Sequence, residues 1–114
     1  MRKTLMTVVA TAALTGCATL PAEPTAYHAT GTEPGWALQI GARTMHFSGP
    51  YGQNPVSEPT SRVIHGFAGE IYQGKRIRVN IVHGKCSDGM SDRTYPDSVQ
   101  LGVDGKRFTG CGGL

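Results

Sequence analysis

Helical patterning is what this sequence most clearly lacks. No segment repeats its apolar residues with a sustained 3.6-residue period, which excludes an all-helical fold. Marked catalytic signatures are missing too. There is no Gly-rich phosphate loop ahead of a helix, no His-Glu-x-x-His and no Cys-x-x-Cys, and the Gly-x-Ser-x-Gly elbow is absent. Ser, His and Asp all occur, so composition leaves a triad open, but nothing marks one Ser as a nucleophile. The chain carries no catalytic signature and implies no cofactor. Its longest apolar stretch, in residues 4–14, falls short of the about 20 residues a membrane-spanning helix needs. Cysteine is scarce at three residues.

The apolar stretch sits behind Met1-Arg2-Lys3 and ahead of Thr15-Gly16-Cys17. A basic start, a short apolar core and small residues before a cut make a secretory signal peptide, here residues 1–16. Leu14-Thr15-Gly16-Cys17 resembles the lipobox of bacterial lipoproteins. The resemblance implies a diacylglycerol on the Cys17 sulfur, cleavage before Cys17 and acylation of its new amine. Several acyl chains anchor stably where one holds only marginally. By the same resemblance, Ala18 rather than Asp after the Cys implies sorting to the outer membrane, with the domain facing the periplasm. The membrane is then a partner through lipid.

Removing residues 1–16 from the 114 leaves 98, and takes Arg2 and Lys3 with it. The formal charge of +3 falls to about +1. Nucleic acid is not an expected partner, because no basic stripe replaces the lost charge. Pro21, Pro24 and Pro34 disfavour helix and sheet, so residues 17–26 read as a lipidated tether and 27–114 as one domain. With Cys17 used for lipid, Cys86 and Cys111 remain as an even pair in an oxidising compartment. A disulfide is expected, with two free thiols or a thiolate metal site as alternatives.

Sixteen Gly residues, with Pro, punctuate the chain every ten residues or so, which reads as all-β. Three hairpins can be written. Gly41-Ala42 fits a II′ turn and pairs Leu38 with Met45 and Trp36 with Phe47. Asp104-Gly105 fits a I′ turn, pairing Leu101 with Phe108 and Val99 with Gly110. A loop centred on Gly74 pairs Ile71 with Ile77 and Phe67 with Ile81, chosen because it buries the isoleucines. Strands are expected near 35–40, 43–49, 62–71, 76–84, 97–103 and 106–111, and Tyr27–Thr30 can add a short first one. The expected fold is a small antiparallel meander or barrel of six or seven strands with one disulfide. Cys111 falls on the polar face of its strand unless a bulge intervenes. Pro34-Gly35 suits the centre of a type II turn ahead of Trp36.

Thr32-Glu33-Pro34-Gly35-Trp36 and Cys86-Ser87-Asp88-Gly89-Met90-Ser91-Asp92, with Tyr95-Pro96 and Gly110-Cys111-Gly112, resemble the pattern of a family of small, functionally uncharacterised lipoproteins and periplasmic proteins of Gram-negative bacteria. The resemblance covers about residues 27–113. It implies a compartment and a compact β fold, and it carries no activity with it.

Two connections look long, 49–61 and 85–96, and long loops on a rigid scaffold tend to carry function. The second is the candidate binding loop, with Lys85, Ser87, Asp88, Met90, Asp92 and Arg93. The alternative is that Asp88 and Asp92 cap turns. In the register chosen for the third hairpin His65 faces His83, which makes the two histidines weak candidates for a metal, with no third ligand in view. The leading functional reading is a non-enzymatic binding module for an envelope protein or small ligand. One alternative is a lysozyme inhibitor presenting Lys85, Ser87 and Arg93 to an acidic cleft, and another is a metal-binding periplasmic protein.

Overall fold

Alternate burial organises the described chain. A computed structural model describes residues 26–89 and 92–114. The expected signal peptide, Cys17, all but the last residue of the tether, and Met90 lie outside the described residues. Strand β1 is Tyr27–Thr32, β2 Gly35–Ile40, β3 Thr44–Ser48, β4 Val56–Pro59 and β5 Val63–His65. They are followed by β6 Gly69–Gln73, β7 Ile77–Ser87, β8 Thr94–Val103 and β9 Lys106–Gly112. All pairings are antiparallel in one sheet of order β4-β3-β2-β1-β9-β8-β7-β6-β5. The fold is all-β, as expected, and the sheet curls into a half-barrel.

Among the described residues the strands number nine rather than six or seven. The expected strand 62–71 is two, β5 and β6, folded on a turn at 66–68. The supposed long connection 49–61 contains β4, whose Val56 is buried. A four-residue strand with one buried apolar side chain leaves little alternation to detect.

Trp36, Leu38 and Ile40 of β2, Met45 and Phe47 of β3, and the odd-numbered residues Ile77–Ile81 and Val99–Val103 of β7 and β8 form the core. These stripes have the period of two that puts one face of a strand inside. Trp36 packs with Phe47 and Phe108 at ring-centroid distances of 6.5 and 6.4 Å, and its indole N–H donates to the Thr109 carbonyl at 3.1 Å. The indole lies across β9 at Gly110, where an added Cβ would come within 2.7 Å of the ring. Gly31 of β1, directly opposite Trp36, and Gly110 of β9 are therefore the residues that let the ring cross both strands, since a Cβ at Gly31 would come closer still to the indole nitrogen.

The β8–β9 hairpin has the expected register, Leu101 opposite Phe108 and Val99 opposite Gly110. Positive φ at Asp104 (49°) and Gly105 (83°) is the I′ geometry. The β2–β3 hairpin is shifted by two residues: Leu38 faces Phe47 and Ile40 faces Met45. Gly41 donates to the Thr44 carbonyl, and the turn is Ala42-Arg43, so Gly41 supplies no positive φ. An even shift keeps every side chain on its face, and all four expected residues are buried.

The β6–β7 hairpin is shifted by three, with Tyr72 opposite Val79 and Ile71 opposite Asn80. An odd shift reverses the faces. Ile71 points outward, and Glu70 and Tyr72 point inward. The turn is Lys75-Arg76, closed by the Gly74 N–H on the Ile77 carbonyl. The Glu58 carboxylate of β4 holds it in place, accepting the N–H groups of Arg76 (3.1 Å) and Ile77 (2.8 Å). That contact also brings the β4 edge round to the start of β7. At the β1–β2 turn Thr32 pairs with Gly35 and the Glu33–Pro34 peptide is cis, so Glu33-Pro34 is the two-residue loop rather than Pro34-Gly35.

The Cys86–Cys111 disulfide is formed, with a Cα–Cα distance of 5.6 Å. The bulge that the β9 register left open occurs in β7 instead, between His83 and Cys86. Cys111 lies opposite Ser98 on the outer face, yet it is buried.

Candidate functional site

The segment 85–96 is mostly strand. Beyond the bulge Cys86 pairs with Tyr95 and Ser87 with Thr94, so the connection shrinks to 88–93. The bulge explains why this was illegible. Its extra residue breaks the alternation, and Pro96, which has no N–H for a ladder, sits opposite the interruption. Lys85 is exposed at the bulge and Ser87 ends β7. The Ser87 hydroxyl accepts the Gly89 N–H at 3.3 Å, and the Asp88 carbonyl accepts the Thr32 hydroxyl at 3.4 Å. Asp92 and Arg93 are exposed in the remainder of the connection. Between this connection and the β1–β2 turn lies a hollow of about 310 Å³, walled by Thr32, Glu33, Ser87, Asp88 and the disulfide.

A second constellation was not anticipated. Asp97 shares its face with Val99, Leu101 and Val103 and is only 5% exposed. One Asp oxygen accepts the Tyr27 hydroxyl at 2.8 Å, and the other lies 2.6 Å from Nδ1 of His83. Nε2 of His83 meets the Glu70 carboxylate at 2.9 Å. The three-residue register shift creates this row, since it is what turns Glu70 inward. Gly112 makes room for it, because a Cβ there would lie 2.5 Å from the Tyr27 hydroxyl oxygen. The detectable signal was an acid at an inward position of a strongly apolar strand.

Hydrogen bonds to Asp97 and then to Glu70 raise the His83 pKa above its ordinary value. The imidazolium thereby bridges two carboxylates. Burial, reinforced by the hydrogen bond to Asp97, pushes the Tyr27 phenol upward and keeps it neutral. A folded-state pKa above the unfolded one contributes stability below the unfolded value and loses it as pH rises through the folded value. His83→Gln should therefore melt below the wild type at about pH 5.5, and the difference should shrink by about pH 9. Thermal melts of both proteins across that range check this, and a pH-independent difference would contradict the charged bridge.

A groove of about 600 Å³ opens where the curled sheet meets its own edge. Phe47, Val56, Val103 and Phe108 form its floor, and Arg76, Asp104 and Lys106 stand at one rim. The rings of Phe47 and Phe108 are 5.1 Å apart. Pro34 also lines it, so the groove and the smaller hollow flank the same β1–β2 turn.

His65 and His83 do not face one another. His65 pairs with Glu70 and His83 with Asp97, a consequence of the register shift. Among the described residues no group of three or more His, Cys, Asp or Glu side chains is placed to hold a metal ion. Compared with models of protein families, with curated proteins and with solved structures, the chain matches none.

Proposed function

We propose that this protein is an outer-membrane lipoprotein of the cell envelope that faces the periplasm and serves as a binding module for an envelope protein or small ligand. The placement of the two concavities supports the binding role. Both lie at the β1–β2 turn, and the tether would enter at Tyr27, the other end of β1. Six extended residues, about 20 Å, separate the two. A domain anchored through Cys17 would thus hold its concave surfaces away from the lipid. The groove combines an apolar floor with a few converging polar groups, the usual make-up of a ligand site.

The anchor is tested by Cys17→Ser, which should abolish incorporation of labelled palmitate and release the protein from the outer membrane. Continued labelling of the variant would overturn the lipoprotein reading. The loop is tested by Asp88→Ala and Asp92→Ala, with melting temperature and retention of an envelope partner measured together. Lost retention at unchanged stability supports a binding role, whereas lost stability with retention intact assigns these residues to turn building. Inhibition of muramidase activity by the wild type would instead point to an acidic cleft as the partner of Lys85, Ser87 and Arg93.

A further inference from the structure

Basic residues that are dispersed in the sequence converge in the fold. Lys75, Arg76 and Arg78 surround the start of β7, and Lys106 and Arg107 open β9. Pairing of both strands with β8 gathers all five around two adjacent turns. The acids nearby are occupied. Asp104 is gripped by Arg76 through both oxygens, at 2.9 and 2.7 Å, and Glu58 is directed at backbone N–H groups. No carboxylate among the described residues forms an ion pair with Arg78 or Arg107.

The register gives these two arginines a specific geometry. Arg78 stands opposite Gly102, and Gly102 stands opposite Arg107, on the outer face of three neighbouring strands. Two strand spacings put their Cα atoms about 10 Å apart, with no side chain between them. The next rung on the same face holds Asn80, Gln100 and Thr109, and Gln73 sits beside Arg78. A shallow hollow of about 510 Å³ covers these rungs, and a second of about 390 Å³ covers the basic turns. The two share Arg78, Gly102 and Arg107.

We propose that this outer face binds an anionic glycan, with an acid group seated between the guanidinium groups of Arg78 and Arg107. Guanidinium forks suit carboxylate and phosphate oxygens, which accept two parallel N–H bonds. The amides of Gln73, Asn80 and Gln100 both donate and accept, which suits sugar hydroxyls. Single-stranded nucleic acid is the less suitable ligand. It needs exposed rings for its bases to stack on, and the aromatic side chain at this hollow, Phe108, is half-buried on the inner side. The proposal is independent of the anchor and of the groove.

Binding by the purified full-length protein should be measured to polygalacturonate, neutral dextran, pyrophosphate and a single-stranded oligonucleotide. Polygalacturonate should bind, more weakly as salt rises, and neutral dextran should not. Arg78→Gln combined with Arg107→Gln should lower affinity about tenfold or more, with no change in melting temperature because both side chains are exposed. Arg78→Lys with Arg107→Lys keeps the charge without the fork and should fall between the two. Gly102→Glu places a carboxylate in the gap, where an added Cβ has no neighbour nearer than 4.0 Å, and should abolish binding with both arginines intact. Absence of polygalacturonate binding at low salt would overturn the proposal, as would full affinity in the double Gln variant. Pyrophosphate or oligonucleotide binding at least as tight as the glycan would overturn the assignment of ligand class.

Discussion

Trp36→Ala is expected to lower the free energy of unfolding by about 3–5 kcal/mol. The side chain is 4% exposed and joins three elements at once. It contacts Phe47 on β3 and Phe108 on β9, and its N–H satisfies the Thr109 carbonyl. Truncation removes a large apolar surface and leaves a cavity above Gly110 that a residue without a side chain cannot fill. It also leaves that carbonyl without its indole donor. Gln100 lies directly opposite Thr109 on the outer face and is the matched control. Gln100→Ala should change stability by less than about 0.5 kcal/mol. Denaturant unfolding of the three proteins checks both values, and equal small effects would overturn the assignment of faces.

Removing the disulfide should cost about 3.5 kcal/mol, the chain-entropy value for a 25-residue closure. The bridge ties the end of β7, just past its bulge, to the last strand, and among the described residues β9 is the strand whose ladders join the two halves of the sheet, β4-β3-β2-β1 and β8-β7-β6-β5. Between β1 and β9 only two Cα partners are in register, Ala29 with Gly112 and Thr30 with Cys111. The second of these pairs includes a bridged cysteine, so the cross-link fixes the β9 side of the junction where strand pairing is thinnest. Cys86→Ala with Cys111→Ala and chemical reduction of the wild type should give similar losses in denaturant unfolding. Alanine is the suitable replacement at 111, because a serine hydroxyl there would be buried. An unchanged midpoint after reduction would show that the bridge does not stabilise the fold.

The candidate site was legible only in part. Lys85, Ser87, Asp88, Asp92 and Arg93 do lie near one another, but a bulge and a proline conceal how much of their segment is strand. The row from Glu70 through His83 and Asp97 to Tyr27 depends on four strands that no local signal aligns. The pairing of His65 with His83 failed for the same reason. It followed from a register chosen to bury Ile71, whereas Ile77, Val79 and Ile81 already fill that part of the core.

The sequence by itself determined the all-β class, the inward faces of β2, β3, β8 and β9, the Asp104-Gly105 turn and the cysteine pair. All but the cysteine pair, which follows from counting, are local properties. Alternation is set by the two-residue period of a strand, and a I′ turn needs positive φ at residues that tolerate it. Tertiary structure alone decided the turns at Ala42-Arg43 and Lys75-Arg76, whose φ values are negative and leave no mark in residue choice. It decided the β1–β9 junction as well, and the β7–β8 pairing that brings Arg78 to Gly102, whereas Gly102 opposite Arg107 already follows from the Asp104-Gly105 turn. Those arrangements come from fitting one curled sheet around a shared core, where Glu58 reaching the β6–β7 turn and Trp36 crossing Gly110 outweigh the local preference of any single strand.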